Sequence, residues 1–125
     1  MQDRRAPRIA VEALGWELVD GREASCLIVE LSPAGARLER PYLGGPTLRE
    51  VPLQLEIPEI DEVIWAKGEA CFDQLVQTKS PRGGPMGLVR RTGYRIALAA
   101  RRDLRMLEEY VIETYRQLTP VCGAW

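Results

Sequence analysis

The chain has 125 residues, of which 46% are hydrophobic and 28% are charged, as in an ordinary soluble domain with a single core. It contains no histidine and its formal net charge is −1, so catalysis by Ser-His-Asp or Cys-His groups is excluded and binding to a nucleic acid polymer is not expected. No apolar run approaches the ~20 residues that a membrane helix needs, so we expect a cytoplasmic protein without membrane insertion. We further expect one non-enzymatic domain over residues 1–125, without cofactor or metal site.

The first part of the chain shows the period-2 alternation of half-buried strands. Residues 8–19 predict a first strand and residues 24–31 a second, joined by the hairpin signal Asp20-Gly21. Residues 32–35, Ser-Pro-Ala-Gly, fit a type I turn. Extended structure resumes over residues 36–39, so three antiparallel strands are expected here.

The second part continues the alternation and then changes period. Strands are predicted over residues 47–57, 63–76 and 94–99, with a loop rich in glycine and proline over residues 79–87. Apolar residues then recur at spacings of three and four, which predicts one helix with an apolar stripe: Leu104, Leu107, Tyr110, Val111, Thr114, Tyr115 and Leu118.

These elements predict a mainly β domain, a six-stranded antiparallel β-barrel with a C-terminal α-helix. The barrel spans residues 9–99 and the helix residues 101–118, after an arm at residues 3–9. An apolar tail follows at residues 119–125, and it either folds back onto the barrel or contacts a partner. In a barrel of this size side chains fill the interior, so ligands bind on the outside.

Five residues are expected to pack inside such a barrel. Trp16 and Trp65 lie in strand-like segments, although either could instead stack on a purine. The three cysteines, Cys26, Cys71 and Cys122, form no CxxC pair, so we expect buried free thiols and no zinc or redox site.

The charged residues are unevenly distributed. Of 17 basic residues 15 are arginine, and eight basic residues with one acid lie between residues 79 and 105. Seven acids and one base lie between residues 50 and 73. Arg90, Arg91 and Arg95, in the basic segment, either contact a phosphate or form a solvated or ion-paired face.

The first motif with ligand-binding chemistry is Arg4-Arg5-Ala6-Pro7-Arg8. Pro7 disfavours helix at Ala6, so the segment is extended or turned. Two arginines four residues apart can then converge on one anion, because guanidinium groups bind phosphate oxygens and the guanine O6/N7 edge in bidentate fashion.

The second motif runs from Glu30 to Gly35 between two strands. Glu30 and Ser32 are two residues apart and point to the same face. The carboxylate can accept hydrogen bonds from the N1–H and N2–H₂ groups of guanine, and Ser32 can donate or accept. Gly35 would let a flat base approach the backbone, although a plain turn explains it equally well.

Together the two motifs resemble those of the PilZ domain family of bacterial cyclic di-GMP receptors. The RxxxR element is Arg4 and Arg8, and the [D/N]xSxxG-like element is Glu30, Ser32 and Gly35. Further similarities are residues 35–38, 53–58 and 93–96, so the resemblance covers about residues 3–118.

The resemblance implies that cyclic di-GMP lies across the outer face of the barrel. Arg4 and Arg8 would clamp its guanines and phosphates, and Ser32 and Gly35 would line the floor. Arg5, which is not part of the motif, is expected to be an auxiliary phosphate contact. The family has Asp or Asn where this chain has Glu30, which places the carboxylate one methylene further out.

Three functions therefore follow as hypotheses. A receptor would change its surface for an unidentified protein partner when nucleotide binds, in a process such as motility. A protein–protein adaptor on the same fold would act without nucleotide. A binder of single-stranded nucleic acid is disfavoured, because only 6% of residues are aromatic.

Overall fold

Six strands and one helix make up the computed structural model, which describes residues 6–45, 49–77 and 87–118. The strands pair antiparallel throughout and close into a barrel in the order β1-β2-β3-β6-β5-β4. The predicted barrel with a C-terminal helix is confirmed. The elements are β1 (Ile9–Val19), β2 (Arg22–Ser32), β3 (Gly35–Pro41), β4 (Glu50–Glu56), β5 (Val63–Gln77), β6 (Leu88–Ala99) and α1 (Arg101–Leu118).

Some of the predicted features lie outside the described residues. They are Arg4 and Arg5 of the arm, most of the predicted loop over residues 79–87, and the apolar tail at residues 119–125. No helix in the described part of the chain is long and apolar enough to cross a membrane.

A β-bulge in β2 determines which side chains of this strand face the core. Ile28 and Leu31 are both fully buried although they are three residues apart, a spacing that would put them on opposite faces of a regular strand. The register against β3 shifts between Ile28 and Glu30, so Val29 is an extra residue. The bulge therefore returns Leu31 to the core and leaves Glu30 and Ser32 half-buried beside it.

Strand β6 begins at Leu88, six residues before the predicted start at Tyr94. The hydropathy pattern does not reveal the first half of this strand, because the buried residues Arg90 and Thr92 are polar. Asp73 on β5 accounts for their burial: its carboxylate lies 3.3 Å from Arg90 Nε and accepts a 2.9 Å hydrogen bond from Thr92 Oγ1. Local hydropathy therefore missed half of this strand.

Helix α1 covers the core with a narrower stripe than predicted. Leu107 and Val111 are fully buried, whereas Leu104, Tyr115 and Leu118 are exposed. Buried Asp103 in the first turn, where a carboxylate suits the helix dipole, also accepts a 3.4 Å hydrogen bond from the Trp65 backbone N–H. This contact ties the start of the helix to β5.

The prediction that both strand tryptophans pack inside the barrel is wrong. Ile64 and Ala66 are buried, so the alternation of β5 puts Trp65 on the outer face, where it is 58% exposed. Trp16 is half-buried and lies outside the core cluster, because its neighbour Glu17 occupies the interior position.

The cysteines differ from one another. Cys26 is a buried free thiol, as predicted, but Cys71 is exposed. The reason is a second bulge: the β5–β6 register shifts between Ala70 and Phe72, which leaves Cys71 as the unpaired extra residue. Cys122 lies outside the described residues.

A charged cluster is buried inside the barrel. Glu17 is 1% exposed, and its carboxylate lies 2.8 Å from Arg40 Nε and accepts a 2.5 Å hydrogen bond from Tyr94 Oη. Burial, reinforced by the Glu17 carboxylate, raises the pKa of the Cys26 thiol to about 12 and that of the Tyr94 hydroxyl as well. The protein interior therefore holds both groups in their protonated form.

Stability is expected to decrease at alkaline pH because of Cys26. Its folded-state pKa of about 12 exceeds the ordinary thiol pKa of 9.0, so the unfolded chain loses the thiol proton first as pH rises. The stabilisation is complete below pH ~9 and declines above it by about 1 kcal/mol per pH unit. Urea unfolding at pH 8 and pH 10 measures this decline. Cys26→Ala should reduce the decline, leaving the smaller part due to Tyr94, and an equally steep decline in that variant would contradict the assignment.

Candidate functional site

The strand register brings the described motif residues into one row on the outside of the barrel. Ile9 is opposite Leu31, so Arg8, one residue earlier, reaches the level of Ser32. Ser32 pairs with Gly35, and Gly35 pairs with Arg95 on β6. Arg8, Ser32 and Gly35 thus lie at one level of the barrel, next to Arg95 of β6.

The turn between β2 and β3 forms the floor of this site. Ser32 Oγ donates a 3.4 Å hydrogen bond to the Gly35 carbonyl oxygen across the turn. A Cβ at Gly35 would lie 2.7 Å from the Tyr94 carbonyl oxygen. Glycine is therefore required here by the close approach of β6, and Gly35 itself is buried in the turn.

Glu30 and Arg37 form an ion pair beside this floor. The two residues are opposite each other in the β2–β3 register, and Arg37 Nη2 lies 3.8 Å from Glu30 Oε1. Both side chains are about one-third exposed, at 30% for Glu30 and 33% for Arg37. The Glu30 carboxylate thus lies against an arginine at the edge of the floor.

Arg37 also lies over an aromatic ring. Its guanidinium carbon is 5.2 Å from the centroid of Phe72, a cation–π contact. Phe72 covers Gly93 so closely that a Cβ at Gly93 would overlap the ring. Neither Arg37 nor Phe72 was predicted as a site residue. For Arg37 a signal existed, since it follows Gly35 by two residues and so shares its face.

The basic segment of β6 supplies ion pairs. Arg95 Nη2 lies 2.7 Å from Glu69 Oε1, and this contact lowers the pKa of Glu69 and raises that of Arg95. Arg91 Nη2 lies 2.6 Å from Glu39 Oε2, and Arg90 is buried with Asp73. The structure therefore favours the ion-paired face over a second phosphate contact for Arg90, Arg91 and Arg95.

Arg8 differs from these arginines. Its side chain is exposed at the start of β1, and no ion pair within residues 6–45, 49–77 and 87–118 involves it. Since none of the described residues forms an ion pair with it, Arg8 is the arginine of the described row best placed to bind an anion.

No group of three or more Cys, Asp or Glu side chains that could hold a metal ion occurs in the described part of the chain. The outer face thus offers the exposed guanidinium of Arg8, a half-buried hydroxyl and a half-buried carboxylate around the buried glycine of the turn. This set suits recognition of a phosphate-linked purine by hydrogen bonding.

Three solved structures superpose on most of this chain. The chain superposes on the PilZ domain of Escherichia coli YcgR with cyclic di-GMP at a TM-score of 0.70 and 13% identity, covering 94% of this chain and 95% of that one. For Bacillus subtilis inhibitor of motility (MotI/DgrA) the TM-score is 0.69 with 17% identity, covering 94% of this chain and 53% of that one.

The third is Borreliella burgdorferi PlzA in complex with cyclic di-GMP, at a TM-score of 0.62 and 8% identity, covering 94% of this chain and 55% of that one. The chain thus spans about half the length of MotI/DgrA and PlzA, and nearly all of the YcgR domain. No family model and no curated protein matches the sequence. The structural similarity shows a PilZ-like domain fold.

Proposed function

We propose that this domain is a cytoplasmic receptor for cyclic di-GMP, which binds across the outer face of β2 and β3. The observation that carries the proposal is the single row formed by Arg8, Ser32 and Gly35, residues that are far apart in the sequence. The solved structures of YcgR and PlzA with cyclic di-GMP support it, because both share the fold.

Each motif residue has a role in the proposed complex. Arg8, with Arg4 from the arm, binds the phosphates and guanine edges, and Arg5 adds a phosphate contact. Ser32 and Gly35 form the floor on which a guanine lies. The Glu30 carboxylate accepts hydrogen bonds from the guanine N1–H and N2–H₂ groups.

Binding would order the arm against the barrel and so change the surface that a protein partner meets. No chemical step is required, and the domain acts by binding alone. Control of motility is one process that fits, given the similarity in fold to the motility inhibitor.

Calorimetric titration with cyclic di-GMP tests the proposal. We expect micromolar or tighter binding of one or two nucleotides per chain. GMP and cyclic di-AMP are matched controls, since neither offers two guanines joined through phosphates. Absence of binding heat, together with no competition against a labelled nucleotide, would contradict the receptor and favour the adaptor.

The adaptor alternative draws on one specific observation, the ion pair between Glu30 and Arg37. An arginine that already holds this carboxylate competes with a guanine for it. A partner complex whose affinity is unchanged by nucleotide and by Arg8→Ala would favour this function.

Replacing Glu30 by aspartate is expected to tighten nucleotide binding. The shorter side chain withdraws the carboxylate from Arg37 and restores the spacing of the family motif. A well-placed hydrogen bond to a charged group contributes about 1.5–3 kcal/mol, so at least a tenfold lower Kd is expected. Glu23→Asp, at an exposed position near the other end of β2, is the matched control. An unchanged or higher Kd for Glu30→Asp would show that glutamate suits this site.

A further inference from the structure

An apolar groove and an acidic hollow adjoin each other on the β4–β5 side of the barrel. The groove has a volume of about 530 Å³, and Pro52, Trp65, Lys67 and Leu98 are among its lining residues. The charge of Lys67 is balanced by Glu50, whose carboxylate lies 3.0 Å from the ammonium group. The hollow has a volume of about 410 Å³ and is lined in part by Glu56 and Asp61. Trp65 borders both, so the two form one continuous surface, which we name the Trp65 surface.

The apolar part of the Trp65 surface is unusually exposed. Trp65 is 58% and Leu98 68% exposed. The β5–β6 register places Leu98 opposite Lys67, and the β4–β5 register places Pro52 opposite the same lysine. Large apolar side chains that are grouped in this way on a soluble domain indicate a contact surface. Tryptophan in particular dominates the binding energy of many protein interfaces.

The acidic part of the surface carries negative charge that the described residues do not balance. Glu62 is paired with Arg102 at 2.8 Å. Glu56 and Asp61 make no ion pair with any residue in the described ranges. An occupant with positive charge beside an apolar group would therefore complement both parts.

We propose that the Trp65 surface docks a basic segment of another protein, in which a large apolar side chain lies next to arginine or lysine. The apolar side chain packs in the groove against Trp65 and Leu98. The cationic group lies in the hollow beside Glu56 and Asp61.

The negative charge of the hollow favours this occupant over a second copy, the chain's own tail or a phosphate-bearing surface. A second copy joined by two-fold symmetry would set the same acidic patch against itself. The chain's own residues 119–125 contain no lysine or arginine. Phosphate-bearing surfaces, whether lipid or nucleic acid, would be repelled by the two carboxylates.

The Trp65 surface goes beyond nucleotide binding and does not depend on it. It is formed by β4, β5 and the end of β6, whereas the proposed nucleotide row begins on β1 and crosses β2 and β3. Within the closed order of the barrel, β2 and β3 lie opposite β4 and β5. Failure of the nucleotide titration would leave this proposal intact, and the reverse also holds.

Chemical-shift mapping on the full chain tests the proposal, without nucleotide. The probes are two ten-residue peptides, one alternating leucine with arginine and the other leucine with glutamate. We expect the arginine peptide to shift the Trp65 indole and Leu98 methyl resonances in a saturable manner. The glutamate peptide should bind at least tenfold more weakly.

Three variants sharpen the test. Trp65→Ser and the double variant Glu56→Gln/Asp61→Asn should each weaken the arginine peptide at least fivefold. Leu43→Ser is the matched control, because it removes a large apolar side chain that is 78% exposed but lies outside the Trp65 surface. It should leave the affinity unchanged. Far-UV circular dichroism establishes that each variant is folded.

Several results would overturn the proposal. They are absence of binding at millimolar peptide, equal affinity for the two peptides, and shifts confined to other strands. Dimerisation that is lost in Trp65→Ser would identify a second copy as the occupant. A change of the Trp65 indole resonance on deletion of residues 119–125 would identify the tail.

Discussion

Replacement of Arg8 by alanine is expected to raise the Kd for cyclic di-GMP by at least a hundredfold. Arg8 is exposed, free of ion pairs within the described residues, and level with Ser32 at the edge of the floor. Losing a bidentate, charge-assisted contact removes about 3 kcal/mol of binding free energy, which is a factor of more than 100 in Kd. Calorimetric titration measures this change directly.

Two further substitutions control for charge. Arg22→Ala removes an exposed arginine at the opposite end of β2 and should leave the Kd unchanged. Arg8→Lys keeps the charge but loses the planar fork, so an intermediate Kd is expected. Wild-type affinity in Arg8→Ala would show that the RxxxR arginines do not bind the nucleotide in this chain.

Replacement of Glu17 by glutamine is expected to cause the largest loss of stability among the variants considered. Glu17 is buried and contacts both Arg40 and Tyr94. The amide would leave the Arg40 guanidinium in the barrel without its counter-charge. Breaking a buried ion pair from one side costs about 3–5 kcal/mol, a large part of the 5–15 kcal/mol that stabilises a typical domain.

Urea unfolding followed by circular dichroism measures the effect of Glu17→Gln. The matched control is Glu23→Gln, at an exposed carboxylate that accepts a 2.7 Å hydrogen bond from Gln54 Nε2. Its free energy of unfolding should change by less than about 1 kcal/mol. A comparably small change in Glu17→Gln would mean that solvent or side-chain rearrangement neutralises Arg40.

Much of the barrel could be predicted from the sequence because its strands alternate locally. Ile64 and Ala66, for example, face the core from alternate positions of β5. The same alternation places Trp65 outside, yet the residue type alone suggested the core. For Trp65, therefore, the alternation of the strand predicts the correct face, whereas the apolar residue type does not.

The features that were missed depend on contacts between distant parts of the chain. Glu17 and Tyr94 are 77 residues apart in sequence, so a local pattern cannot show that they form a buried pair. The sequence alone predicts Arg90 at the surface, because only the pairing of β5 with β6 places Asp73 beside it. Phe72 joins the site through the bulge at Cys71, which no residue pattern marks.

The motif residues were predicted from their fixed spacing in the sequence. The register confirms that Ser32 and Gly35 are neighbours. Their binding role, with that of Arg4, Arg5, Arg8 and Glu30, stays a prediction that the titrations above address.

The closure of the barrel has a consequence for how the domain opens. Strands β1 and β4 pair through only three residue positions, Gly15 to Glu17 with Leu55 to Leu53, whereas β1 pairs with β2 along almost its full length. This short seam is where thermal fluctuations separate the sheet most easily, and its amides should exchange with deuterated water ahead of those in the β1–β2 ladder. Opening there would expose two unpaired strand edges, the groups through which β proteins associate into aggregates. The buried Glu17 cluster lies at this seam, so we expect its ion pair to oppose this opening.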